Sequence, residues 1–447
     1  MTANQGALDI VGKNITNANL PGYTRRTALL EAQSMERGAP GGVRFLGPQR
    51  MIDHFAERRI FGESGLLGAA DARELGLMGL EAVLAPTGSG GDIGTQLGEF
   101  FGAATELASH ANDPTKRAQF LARAEFVAAS FRDASNGLYE RRDALFGQAT
   151  EAANYVNDRT TEIASLNVKI AEATALGDPV PDLEDRRDLL LTEISSKAPI
   201  SVVREPNGFV VVLSAGAALV TGMEVSKLDV TLDGQGNLKV EALKKGGAAT
   251  DLTSKMVAGD LGGIIEARDG DIPALMGDLD QLAFDFANDA NAAHSAGFGL
   301  DGVTGRPLFG PPVAVQGAAK TLSVSSLVAG QPDAVATSSS AGELPAGNGA
   351  ALALAAIGAQ SLAGLGTASA RFGALAGKLG TFQGAAASSR SLREDTLHMA
   401  TMHRDQVSGV SLEEEMVDLS RYQRAFEASM KVLRVADELL EGLIREV

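Results

Sequence analysis

Residues 411–447 read SLEEEMVDLSRYQRAFEASMKVLRVADELLEGLIREV, and their apolar spacing decides the fold. Leu412, Leu419, Phe426, Leu433 and Leu440 recur every seven residues, and Met416, Tyr422, Met430, Ala436, Leu443 and Ile444 lie three or four positions further on. A repeat of this length predicts a coiled-coil helix, which cannot bury its own stripe. Ser411-Leu412-Glu413-Glu414 has the form of a capping box, Ser411 accepting from the amide of Glu414 while Glu414 reaches back. Glu413, Glu414, Glu415 and Asp418 place negative charge at the positive end of the helix dipole.

The expected partner lies at the other end of the chain. Leu8, Val11, Ile15 and Ala18 are spaced three, four and three apart, a short matching seam. It stops at Asn17-Ala18-Asn19-Leu20-Pro21-Gly22-Tyr23, where Pro21 and Gly22 suit the centre of a type II turn. Charge agrees with this pairing: residues 1–60 hold 8 Lys+Arg and 5 Asp+Glu, whereas residues 404–447 hold 6 and 10. An isolated helix of so few turns is marginal in water, so this end is expected to be loose until other copies supply apolar surface. A stripe at helical spacing also fits an ordinary intramolecular core, and both readings stand at this point.

Further inward, no proline falls between Pro114 and Pro179 or after Pro345, and both stretches carry helical spacing. Phe120, Ala124, Val127 and Phe131 mark the first, as do Ile163, Leu166, Ile170 and Ala173; Phe372, Leu375, Leu379, Phe382 and Ala386 mark the second. Between them the period changes to two. Ser201–Arg204 and Phe209–Leu213 flank the turn Glu205-Pro206-Asn207-Gly208, and Leu228, Val230 and Leu232 alternate toward a second turn at Asp233–Asn237. A helical pattern resumes at Leu275, Leu279, Leu282 and Phe286, then a Gly-rich loop at Gly297–Pro312, then weak strands and loops over 313–349.

Composition narrows the function. A net charge of −17 with no compensating basic run argues against general nucleic-acid binding. Cysteine is absent, which excludes disulfide frameworks, thiolate metal sites and cysteine nucleophiles. No apolar run reaches the length of a membrane span, and the opening residues lack the pattern of a secretory signal peptide.

Chemistry is not encoded in any motif. Of His54, His110, His294, His398 and His403, the last two are five apart and so lie on different helix faces; solvated histidines are expected. Gly88-Ser89-Gly90-Gly91-Asp92-Ile93 begins like a dinucleotide fingerprint but ends in Ile and reads as a linker. Asp269-Gly270-Asp271 and Asp278-Leu279-Asp280 lack the spacing of a calcium loop and read as solvated helix faces. No catalytic residue, cofactor site or metal site is nominated.

Both ends resemble a known group. Asn14-Ile15-Thr16-Asn17-Ala18-Asn19-Leu20-Pro21-Gly22-Tyr23-Thr24-Arg25 resembles the N-terminal signature of the bacterial flagellar axial proteins. Ser408–Glu415, followed by Leu419-Ser420-Arg421-Tyr422-Gln423-Arg424-Ala425-Phe426-Glu427-Ala428-Ser429, resembles their C-terminal signature. Asp182–Leu190, Leu261–Phe309 and Leu344–Gly349 resemble the hook-associated members of the group rather than its rod or hook members. Members usually carry further residues before the segment matching Ala3-Asn4-Gln5, so a short N-terminal seam is expected.

The expected fold class is α+β: an elongated multi-domain rod of helical bundle and terminal coiled coil, the coil built from both chain ends, with a small inserted β domain. The expected division is a terminal coiled coil of 1–25 with 408–447, a helical domain of 26–197 with 261–296 and 350–407, and a β-rich outer domain of 198–260 with 297–349. The resemblance implies a non-enzymatic part of the flagellum that joins hook to filament. It implies self-association in a ring or helical layer through Leu8, Val11, Ile15, Leu412, Leu419, Tyr422, Phe426, Leu433 and Leu440, with Asn17, Pro21, Gly22 and Tyr23 as the turn. Implied partners are hook protein, a second junction protein and a cytoplasmic export chaperone on the C-terminal helix, with no nucleic acid and no membrane. Export through the type III channel without a cleaved signal to an extracellular site is implied too. Alternatives are a hook or distal rod protein, a secreted hydrolase with axial-type ends, and a generic coiled-coil adaptor.

Overall fold

A computed structural model describes residues 2–33, 42–84, 91–244 and 246–446, apart from the side chains of residues 443 and 446. Residues 88–90 of the Gly-rich linker and the Leu443 side chain of the seam lie outside the described residues. In chain order the elements are α1 (Thr2–Asn17), β1 (Arg26–Gln33), β2 (Gly42–Arg50), α2 (His54–Leu77), α3 (Leu80–Leu84), α4 (Ile93–Ser109), α5 (Pro114–Leu176) and α6 (Pro181–Lys197). Then come β3 (Ile200–Arg204), β4 (Val210–Ser214), β5 (Ala217–Thr221), β6 (Glu224–Val225), β7 (Lys227–Leu232), β8 (Leu238–Leu243) and β9 (Ala249–Asp251). The chain returns to helix in α7 (Gly259–Ile265), a π-helical turn (Glu266–Asp271), α8 (Ile272–Ser295), α9 (Ala318–Thr321), α10 (Gly349–Ile357), α11 (Ala368–Ser408) and α12 (Leu412–Glu446). The class is α+β.

Two compact units result. The first holds residues 1–70, 150–262 and 390–447; the second holds 71–149 and 263–389. This differs from the expected division. Residues 297–349 belong with the helices of the second unit rather than with 198–260, because their apolar residues complete a helical core: Phe309 packs on Phe286, at 5.2 Å between ring centroids. They form isolated bridges (Phe298 with Thr304 and Ser338, Phe309 with Val324) rather than strands. Residues 26–33 and 42–50, expected to open a helical domain, pair instead as the antiparallel strands β1 and β2.

In the first unit, β3-β4-β5-β6 and β7-β8-β9 are two antiparallel sheets. Two asparagines of α5 clip them in place. The Asn167 carboxamide donates to the carbonyl of Val210 at 2.9 Å and accepts from its amide at 3.1 Å. Asn157 treats Leu228 the same way, at 2.8 Å for both bonds. Each carboxamide thus stands in for one residue of a strand ladder, satisfying backbone groups that a helix cannot otherwise reach.

The second unit is built around aromatic rings. Phe286 of α8 is fully buried and lies 5.2–6.3 Å from Phe100, Phe101, Phe131 and Phe309. Asp271 and Asp280 of the acidic clusters are buried, contrary to expectation, whereas Asp278 is exposed. Asp271, the last residue of the π turn, accepts from Arg73 at 2.8 Å, and Asp280 accepts from the amides of Gly317 and Ala319 at 2.8 and 3.0 Å. Buried carboxylates need such donors, and the sequence does not show which arginine or turn supplies them. Phe286→Ala is expected to cost this unit about 3–5 kcal/mol, because a fully enclosed ring leaves a cavity that cannot collapse. A shift of the urea midpoint followed by circular dichroism checks it; an unchanged midpoint would refute the assignment of Phe286 to the centre of this core.

Candidate assembly interface

Both chain ends lie in the first unit and they pair. Asn14 on α1 donates to Glu415 of α12 at 3.0 Å, and Asn4 lies 3.5 Å from Ser429, so the two helices run antiparallel. At 16 and 35 residues they are about 24 and 52 Å long, so α1 covers only the first half of its partner. α1 also packs on the β1–β2 pair, where Phe45 lies 3.0 Å from the place a Cβ on Gly6 would occupy.

This double duty changes which residues α1 buries. Ala3, Ala7, Ile10, Val11 and Asn14 are enclosed, whereas Leu8 and Ile15 of the expected seam are only half-buried. Small residues at 3 and 7 let α12 and the β1–β2 pair approach, and the bulkier Leu8 and Ile15 turn away.

The joint itself is polar. The turn after α1 closes with the Tyr23 amide donating to the Leu20 carbonyl at 3.1 Å, and Gly22 at φ +81° supplies the left-handed residue of a type II turn. It aims Tyr23, Thr24, Arg25 and Arg26 back at the chain. Asn14 is the hub: its oxygen accepts from the Tyr23 hydroxyl (2.9 Å) and the Arg26 amide (3.1 Å), and its nitrogen donates to the Arg26 carbonyl (2.8 Å) besides Glu415. Arg25 grips the start of α12, 2.7 Å from Glu415 and 2.6 Å from Glu414. The capping-box expectation is therefore corrected in one half: Ser411 accepts from the Glu414 amide, but Glu414 does not return the bond. Ser411 Oγ stands 3.5 Å from the Glu414 amide, and the Glu414 carboxylate bonds Arg25 instead of reaching back.

A second layer ties the turn to α6. Arg26 pairs with Asp182 and Asp185 at 2.6 and 2.7 Å, and Arg50 with Asp185 and Asp188 at 2.8 and 2.7 Å. Arg204 adds a bond to Asp188 at 3.0 Å. Burial alone would raise the Asp188 carboxyl, but Arg50 and Arg204 beside it hold it below its ordinary value. The segment Asp182–Leu190 is thus the acidic socket for the basic turn.

Beyond Met430 the picture reverses. Every described side chain from Lys431 to Arg445 is exposed, apolar ones included: Val432, Leu433, Val435, Leu439, Leu440 and Ile444. At 100° per residue these six span an arc of about 180°, facing away from Arg434, Asp437, Glu438 and Glu441. Leu412 is exposed as well, while Leu419, Tyr422 and Phe426 are half-buried. Val432, Val435 and Leu439 extend the predicted seam, and their three-and-four spacing was visible beside it. Asn14, Arg25 and Glu415 carried no such signal, because polar spacing does not reveal long-range partners.

Among the described residues no group of three or more histidine or acidic side chains converges to hold a metal ion. Four of the histidines are exposed; His294 is not, correcting the expectation for that residue.

Residues 77–309 match the flagellar hook-associated protein FlgK helical domain, and residues 405–446 the flagellar basal body rod FlgEFG protein C-terminal region. The chain belongs to the flagellar hook-associated protein FlgK family. It is a structural component of the flagellum. Flagellar hook-associated protein 1 of Bacillus subtilis (strain 168) is 28% identical, over 99% of this chain and 96% of its own length. Flagellar hook-associated protein 1 of Salmonella typhimurium is 24% identical, over 70% of this chain and 58% of its own length. The flagellar hook junction protein FlgK from Burkholderia pseudomallei shares the fold with a TM-score of 0.52 at 24% identity, over 57% of this chain and 46% of that one.

Proposed function

We propose that the chain joins hook to filament without catalysing a reaction, as one subunit of a ring or helical layer held by terminal helices of adjacent copies. The observation that carries this reading is the free half of α12. An amphipathic helix with a 180° apolar arc is stable in water only when that arc is covered, and no described residue of the chain covers it. Leu412, Leu433 and Leu440 offer the seam, and the half-buried Leu8, Ile15, Leu419, Tyr422 and Phe426 continue it, with Val11 holding α1 in place. Asn17, Pro21, Gly22 and Tyr23 form the turn that fixes the joint. In this reading residues 1–25 with 408–447 are the assembly segment, contacts are heterologous, and the product is an open tube or layer.

Partners follow from the same surface: hook protein on one side, a second junction protein on the other, and a cytoplasmic export chaperone that covers α12 before secretion. Export proceeds unfolded, through the type III channel and without a cleaved signal, to the outside of the cell. The hook or rod alternative has support only from residues 405–446, a region axial proteins share, whereas residues 77–309 favour the hook-associated reading. Immunolabelling of purified flagella tests it. Label confined to the joint between hook and filament is expected; label along the rod or the hook shaft would refute it.

A further inference from the structure

His294 ends α8 in the second unit, about as buried as any side chain there, and serves no part of the assembly surface. Both ring nitrogens are committed to backbone. Nδ1 stands 2.7 Å from the carbonyl of Arg306, and Nε2 stands 3.0 Å from the amide of Ala336. A carbonyl can only accept and an amide can only donate. The ring is therefore neutral, with its proton on Nδ1 and a lone pair on Nε2. One side chain thereby fastens three pieces of chain: the end of α8, the turn 297–306 and the segment 333–338, which begins in a short 3-10 turn.

The segment 333–338 has a second fastening, a cationic one. Arg117 of α5 is fully buried and donates to the carbonyls of Ala111 (2.7 Å) and Val335 (2.6 Å) and to the Thr337 hydroxyl (2.7 Å). The charged groups around the histidine are thus Arg306, which pairs with Asp301 at 2.6 Å, Arg117, and the more distant carboxylates of Asp301 and Asp333. None of these is a carboxylate bonded to the ring.

We propose that His294 is an acid-released clasp, which on taking up a proton lets go of the segment 333–338 and opens the second unit there. The added proton has nowhere to sit but Nε2, where it faces the Ala336 N–H head on. The bond is replaced by a repulsion, and a second buried cation arises one residue from the groups that Arg117 holds. Burial, with the neighbouring Arg306 charge, lowers the affinity of this ring for a proton below the ordinary histidine value of 6.5, though its bond to the Arg306 carbonyl works the other way. The sign follows: the open segment binds the proton better than the closed one. The clasp is fully effective above pH 6.5, and the closed state loses ground as the pH falls below it, by about tenfold per unit until the ring protonates in place.

Hydrogen exchange of the full chain read by mass spectrometry, corrected for intrinsic rates, tests this between pH 7.5 and 5. Amides of 297–306 and 333–338 are expected to lose protection about tenfold per unit below pH 6.5. In His294→Gln, whose carboxamide can accept from Ala336 and donate to Arg306 without titrating, they are expected to hold steady. An equal acid response in His294→Gln, or none in the wild type, overturns the proposal. Should that variant fail to fold, the wild-type ring decides by nuclear magnetic resonance: a ring that stays neutral to below 6.5 and then titrates together with the exchange supports the clasp, and one that titrates at 6.5 or above overturns it.

Discussion

Replacing Leu433 and Leu440 together by aspartate is expected to remove the protein from flagella while leaving its own fold unchanged. Both side chains are open to solvent in the single chain, at 46% and 56% exposure, so the folded subunit loses little. Neighbouring copies would bury them. Each leucine then contributes about 1.5–3 kcal/mol to the interface, and an unpartnered polar group in its place costs about 1–3 kcal/mol more. Two positions together reach at least about 5 kcal/mol, which lowers the association constant more than a thousandfold. The readout is the amount of protein recovered on sheared flagella, beside circular dichroism of the purified variant. Arg434→Asp, on the opposite arc, should behave as wild type. Wild-type recovery of the double variant would show that the free half of α12 is not the assembly surface.

The second large effect is expected at the joint. Arg25→Ala leaves the Glu415 carboxylate, 1% exposed, with Asn14 as its remaining side-chain donor. Removing one member of a buried ion pair costs about 3–5 kcal/mol, because the other stays desolvated and unbalanced. Glu415→Gln should cost much less: its amide keeps a polar atom in place, and Arg25 retains Glu414 at 2.6 Å and Asp418 at 3.9 Å. Exchange of α1 amides reads both, since this joint ties α1 to the start of α12. Equal losses in the two variants would contradict the assignment of Arg25 as the residue that commits α12 to α1. The neighbouring Asp188 gives the same region a pH dependence of known sign. Its folded-state affinity for protons is lowered, so the stability it brings is present above about pH 4 and is lost as the pH falls below that.

How far the sequence could be read depended on the range of the interactions. The seven-residue repeat of α12, the proline-free stretch that becomes α5 and the period-two runs of β3, β4, β7 and β8 are local patterns, and each is legible because backbone geometry repeats. The pairing of β1 with β2 is not legible in the sequence. Alternation in the two strands is weak, and a two-stranded sheet gains its stability from the α1 packed on it rather than from its own sequence. The burial of Asp271, Asp280 and His294 is hidden for a related reason: a polar residue looks solvated until the partner that satisfies it, often more than 30 positions away, is known.

The sequence by itself determined that the two ends are amphipathic helices of unequal length, that the middle alternates between helix and sheet, and that no motif for catalysis is present. Only the tertiary structure decided which face of α1 is spent inside the chain, that Asn14, Arg25 and Glu415 lock the ends together, and that the apolar arc beyond Met430 is left uncovered. The physical reason is that periodicity records which residues avoid water, whereas the identity of what covers them is a property of contacts between segments hundreds of positions apart.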